Sequence, residues 1–121
     1  MKKFIILFLF INLFLISKER DYQLEFAKKY NCKTEIVLSD NTRVDIIYDE
    51  YVIEVDYSKK WYEAVGQCLW YSIQTGKKPS ILLIVDGLND KYLIKLLILA
   101  KVYDIKVFTI DYNTFEINEI N

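Results

Sequence analysis

A chain of 121 residues is long enough to bury one hydrophobic core and too short for two. Hydrophobic residues make up 53% and charged residues 27%, a globular composition, and 16 basic against 17 acidic residues leave a net charge of -1, too little to coat nucleic acid through bulk charge. The absence of His excludes Ser-His-Asp and Cys-His catalytic groups and His-ligated zinc, and Cys32 and Cys68 lack the CxxC spacing of a zinc or redox motif.

Residues 1–17 have the layout of an export signal: Lys2 and Lys3 form a basic start, and residues 4–16 are apolar except for Asn12. That run is shorter than the roughly 18 to 20 residues that span a bilayer, which predicts a cut near Ser17 and an exported protein. The alternative is an uncleaved membrane anchor. The rest of the chain, 18–121, reads as one domain without repeats or linkers.

Tyr22, Phe26, Ala27 and Tyr30 recur at helical spacing, predicting a helix over 18–30 that breaks at Asn31. Segments 34–38, 43–48 and 51–56 are rich in β-branched and aromatic residues and are separated by Ser39-Asp40-Asn41 and Asp49-Glu50, the punctuation of a three-stranded antiparallel meander. A second helix follows over 59–75, with Ser58 as a potential N-cap and Gly76 as its stop. Residues 80–85 form a continuous apolar strand of the kind buried on both faces. A third helix over 90–103 and a last strand over 105–110 complete an α-β-β-β-α-β-α-β order.

If Asp49 and Glu50 are the two loop residues of the second hairpin, cross-strand partners have numbers that sum to 99, and Asp45 faces Glu54. Like charges placed opposite each other in a sheet are destabilising, and a hard divalent cation such as Mg²⁺, commonly held by one or two carboxylates, removes that cost. A register slip, or two solvated acids, are the plainer alternatives. The same register sets Arg43 opposite Asp56, either as an ordinary cross-strand ion pair or as a cation beside a metal site. On the second helix Lys60, Glu63, Gln67, Tyr71 and Gln74 share one polar stripe, which is either a solvated face or one turned to a site, whereas Trp61, Val65, Leu69 and Ser72 form the opposing side.

The runs Arg43-Val-Asp45 and Ile53-Glu54-Val55-Asp56, and the helix from Lys59 through Gln67 to Tyr71, resemble the PD-(D/E)xK nuclease superfamily; the stretch from Gln67 to Tyr71 is similar to the QxxxY signature of its RecB-type branch. The chain also resembles small exported bacterial members of that superfamily. The resemblance covers nearly all of 18–121. It implies a restriction-endonuclease-like α-β-β-β-α-β core with a mixed sheet, extended by a further helix and strand. It further implies a nuclease in which Asp45, Glu54, Glu19 and the Val55 carbonyl hold Mg²⁺ or Mn²⁺, with Gln67 and Tyr71 beside the substrate phosphate. The substrate would be nucleic acid, DNA ahead of RNA, and no organic cofactor is implied.

One departure matters. Asp56 stands where the family has its catalytic Lys, which positions or deprotonates the attacking water. Lys60 is the first candidate to replace it and Arg43 the second; alternatively, Asp56 itself binds metal. A catalytically inactive nuclease-fold binding module at the cell envelope is the competing expectation.

Overall fold

Residues 81–85 are apolar at every position and buried at every position, because the strand that carries them runs through the middle of a sheet covered on both faces. In the computed structural model, which describes residues 18–121, the sheet has six strands: β1 (Lys33–Val37), β2 (Arg43–Tyr48), β3 (Tyr51–Tyr57), β4 (Lys78–Val85), β5 (Lys106–Asp111) and β6 (Ile117–Glu119). Their spatial order is their chain order. The β1/β2, β2/β3 and β5/β6 pairs are antiparallel, and the β3/β4 and β4/β5 pairs are parallel. The predicted signal segment, residues 1–17, lies outside the described residues.

Among the described residues three helices cover the sheet: α1 (Glu19–Tyr30), α2 (Trp61–Thr75) and α3 (Lys91–Tyr103). The mixed sheet and three helices agree with the α/β class expected from sequence. A parallel pair cannot be joined by a tight turn, so α2 connects β3 to β4 and α3 connects β4 to β5. Both helices lie over one face, where Trp61, Cys68, Leu83 and Leu96 share a core. The other face packs against α1, where Tyr22 and Phe26 meet Ile53, Val55 and Phe108.

The packing of α1 follows its aromatic spacing. Tyr22, Phe26 and Tyr30 lie four residues apart, so their rings stack along one face. Phe26 is fully buried, with ring centroids 4.5 Å from Tyr30 and 5.1 Å from Phe108, the latter edge-on at 80°. The Tyr22 hydroxyl donates to the Tyr112 carbonyl at 2.8 Å, tying α1 to the loop after β5. At its end, Asn31 adopts a left-handed conformation (φ 51°), the break expected there.

Most expected boundaries hold to within a residue, and the departures that matter are these. The second helix starts at Trp61 rather than at residue 59, and Ser58 is not its cap; Ser58–Lys60 form a 3-10 turn instead. This tighter turn ends where Trp61, only 5% exposed, enters the core. Strand β4 begins two residues early, because Lys78 and Pro79 pair with Tyr51 and Val52. Strand β6 was not expected, since three residues are too few to show alternation; pairing with β5 defines it.

Phe26 fills the space between α1 and the sheet. Phe26→Ala is therefore expected to cost roughly 3–5 kcal/mol of unfolding free energy, measured by urea denaturation; a loss below about 1 kcal/mol would mean that α1 is not packed as described.

Candidate functional site

The hairpin between β2 and β3 holds the expected register at Tyr48↔Tyr51, Ile47↔Val52 and Ile46↔Ile53. The next pair would be Asp45 and Glu54. There the backbone ladder stops, and the Asp45 side chain takes over: Oδ2 accepts a hydrogen bond from the Val55 N–H at 2.8 Å. Because the N–H and C=O of one residue leave a strand on the same side, the Val55 carbonyl is also directed towards β2.

The pleat decides which way these side chains point. Glu54 and Asp56 are partnered on β4 by Ile81 and Leu83, both in the core beneath α2 and α3. Asp45 lies two residues from Ile47, whose partner Val52 lies two residues from Glu54, so Asp45 shares that face. The two carboxyl groups act directly on each other, the charge of Asp45 raising Glu54, and a proton held between them relieves that repulsion.

That proton follows from the surroundings. Glu54 is only 7% exposed, and its pKa is pushed up to about 10, first by burial and then by the charges of Asp45 and Asp56. Asp45 is also raised by burial, opposed by the Val55 N–H. Such a pair loses its protons as a unit.

Around it lie three further acids. Asp56 is raised to about 6 by burial, opposed chiefly by the Lys60 ammonium and by the hydrogen bond that its Oδ1 accepts from Tyr57 N–H at 3.1 Å. Glu19, at the start of α1, is raised to about 7 by burial and by the charges of Asp56 and Asp45, again opposed by Lys60. Glu35 is the third, and sequence reasoning did not single it out. The pairs Thr34↔Ile46 and Ile36↔Val44 bracket it opposite Asp45, and its charge raises both Asp45 and Glu19. The signal was there: numbers across the first hairpin sum to 80, the same arithmetic that placed Glu54. Glu35 has φ 53°, uncommon for a non-Gly residue, and is met by Arg20 at 3.6 Å.

Other expected site residues are distributed unevenly. Tyr71, half-buried on α2, is raised by burial and then by Glu54 and Asp45, so it lies within charge range of the carboxyl pair. Gln67 is exposed on the same helix. Lys60, at the end of the 3-10 turn, is the cation whose charge reaches Glu19 and Asp56. Arg43 corrects an expectation: it pairs with Val37 on the outer strand β1, and the β2/β3 ladder ends before it could meet Asp56. The opening of the hairpin at Asp45 is the physical reason. Cys68, buried in the core that α2 and α3 share, has its thiol pushed up to about 12 by burial and then by the charge of Glu54; both cysteines are free thiols.

Asp45 and Glu54 are hard oxygen donors suited to Mg²⁺ or Mn²⁺, ions that keep several waters when two carboxylates hold them. Among the described residues no group of three or more acids or thiols is arranged to hold a metal ion, so Glu19 is a neighbour of the pair in charge rather than a third member of a preformed cage. A cavity of about 440 Å³, lined by Tyr57, Ser58, Lys59, Ile84 and Tyr112 among others, opens at the end of β3 that carries Asp56.

Two proteins of Acanthamoeba polyphaga mimivirus are similar to this chain, each bearing the name "Putative KilA-N domain-containing protein". One is 32% identical over 96 residues, covering 78% of this chain; the other is 31% identical over 94 residues, covering 73%. The chain spans only 38% and 26% of those relatives' lengths. No family model matches the sequence, and no solved structure matches the fold.

The raised carboxyls dictate a pH dependence. Glu54, Asp45, Asp56 and Glu19 hold protons in the folded state that the unfolded chain releases above about pH 4.5, so their contribution is full below that pH and is lost as pH rises towards about 10, the folded pKa of Glu54. Thermal melts in EDTA are expected to give a lower Tm at pH 8 than at pH 5, and Glu54→Gln is expected to raise Tm at pH 8 and flatten the profile. A wild-type Tm that climbs over that interval contradicts the assignment.

Proposed function

We propose that this chain is a metal-dependent nuclease of the PD-(D/E)xK type, hydrolysing phosphodiester bonds of nucleic acid, DNA ahead of RNA. One observation carries the reading: the buried Glu54 carboxyl and the half-buried Asp45 carboxyl lie on neighbouring strands and on the same face of the sheet. An acid pair so placed is costly unless a proton or a cation joins it. The KilA-N label of both viral relatives supports a nucleic-acid-related role.

In this reading Asp45 and Glu54 hold Mg²⁺ or Mn²⁺, with the Val55 carbonyl directed to the same side and Glu19 nearby. When bound, the ion lowers the pKa of a water and offsets negative charge on phosphate. Lys60 takes over the charge-balancing part of the family's Lys. It lies beside Asp56, which occupies that Lys position, and its charge already acts on Asp56 and Glu19. The Tyr71 hydroxyl, within charge range of the pair, and the Gln67 amide, on the same helix, would orient phosphate oxygens.

A second reading is favoured by Asp56 itself: a buried acid in place of the Lys suits a nuclease scaffold kept for binding alone.

Purified protein is to be incubated with single- and double-stranded DNA and RNA in Mn²⁺. Cleavage is expected, falling at least about 100-fold in Asp45→Asn and Glu54→Gln and roughly 100-fold in Lys60→Ala, with each variant's melting curve checked for folding. Nucleic-acid binding without cleavage would establish the scaffold reading; cleavage unaltered in both acid variants would remove the enzyme assignment from this site.

A further inference from the structure

Thr109 on β5 is fully buried, and its hydroxyl has no hydrogen-bond partner among the described residues. Buried hydroxyls are rarely left unpaired. Thr109 borders a cavity of about 330 Å³ together with Asn118 on β6, Glu116, Asn89, Val85 and Leu88. Asp111 also borders it but is committed to its own loop: Oδ1 accepts the Asn113 and Thr114 amides at 2.9 and 3.0 Å, and Oδ2 accepts the Gly87 amide at 3.1 Å.

The lining states what would fit. Neither Lys nor Arg is among the residues around this cavity, and carboxylates border it, so an anion is disfavoured. Two amides, a hydroxyl and a carboxylate offer both donors and acceptors to the edge of a neutral ligand, while Val85 and Leu88 offer apolar contact to its faces. Asn side chains pair with the donor-acceptor edge of a purine in this manner. We infer that this cavity is a nucleobase-binding pocket, an inference that rests on the nuclease reading for its link to a nucleic-acid strand.

Its position fits that link. Asp56, Leu83, Thr109 and Asn118 are successive partners in one row across β3, β4, β5 and β6. Thr109 therefore lies on the same face as the acids and two strand spacings from Asp56, about 10 Å. Leu83 and the core under α2 and α3 fill the space between them, so a strand would pass round the ends of β3 and β4. There Asn89 is shared with a neighbouring cavity of about 390 Å³ whose lining includes Ser58, Lys59 and Lys91.

The test uses isotope-labelled full-length protein in EDTA, titrated with adenosine, guanosine, cytidine and thymidine, and separately with dinucleotides, and followed by amide NMR shifts. At least one nucleoside is expected to shift Gly87, Asn89, Thr109 and Asn118 saturably. Thr109→Val is expected to weaken binding by at least about tenfold without lowering Tm, since the replaced hydroxyl has no partner to lose among the described residues; Asn118→Ala is expected to weaken it too. Tighter binding of a dinucleotide identifies the base of a strand as the ligand, and equal binding identifies a free nucleoside. No shift up to about 10 mM nucleoside, or unchanged binding in both variants, overturns the inference. Because the measurement needs no metal and no cleavage, it separates from the nuclease reading: an inactive protein that binds nucleosides keeps the pocket, and an active one that ignores them keeps only the nuclease.

Discussion

Asp45 and Glu54 are forced together by a hairpin whose turn is set elsewhere. The register begins at Tyr48↔Tyr51 and runs inward through Ile47↔Val52 and Ile46↔Ile53, and apolar packing on both faces prevents it from slipping by a residue, since a slip would turn every side chain over. The acids arrive opposite each other as a consequence. The chain relieves the resulting repulsion in two ways: the backbone ladder opens so that Asp45 can bond the Val55 amide, and a proton is retained between the carboxyls. Burial of Glu54 beneath α2 makes the second response strong, because low polarity penalises the ionised form.

The rest of the charged environment is arranged around that pair. Glu35 enters from β1, Asp56 from the next outward position on β3, and Glu19 from the start of α1. Lys60 is the cation that reaches both Glu19 and Asp56, and its place at the end of a 3-10 turn is set by the burial of Trp61 immediately after it. Packing of one aromatic side chain thus positions the charge opposite the acids.

The parallel centre of the sheet has its own consequence. Strands β3, β4 and β5 run in one direction, so their C-terminal ends gather at one edge, where ligands of open α/β sheets commonly bind. Asp56, the turn at Ser58–Lys60, the Gly87 loop and Asp111 all lie at or beyond those ends.

Local pattern was enough for the elements and for one hairpin. The aromatic spacing of Tyr22, Phe26 and Tyr30 determined α1, the apolar run 81–85 determined a central strand, and Asp49-Glu50 between alternating segments determined which residue faces Asp45. These features depend on neighbours along the chain, so the order of residues suffices. Tertiary structure alone decided the remainder. Arg43 failed to meet Asp56 because the ladder between β2 and β3 ends before it; α1 was laid against the sheet so that Glu19 comes within charge range of the acids. Thr109 was brought beside Asn118 by β6, a strand too short to read from sequence. Side-chain surroundings of this kind arise from contacts between segments far apart in sequence, and such contacts exist only once the sheet has assembled.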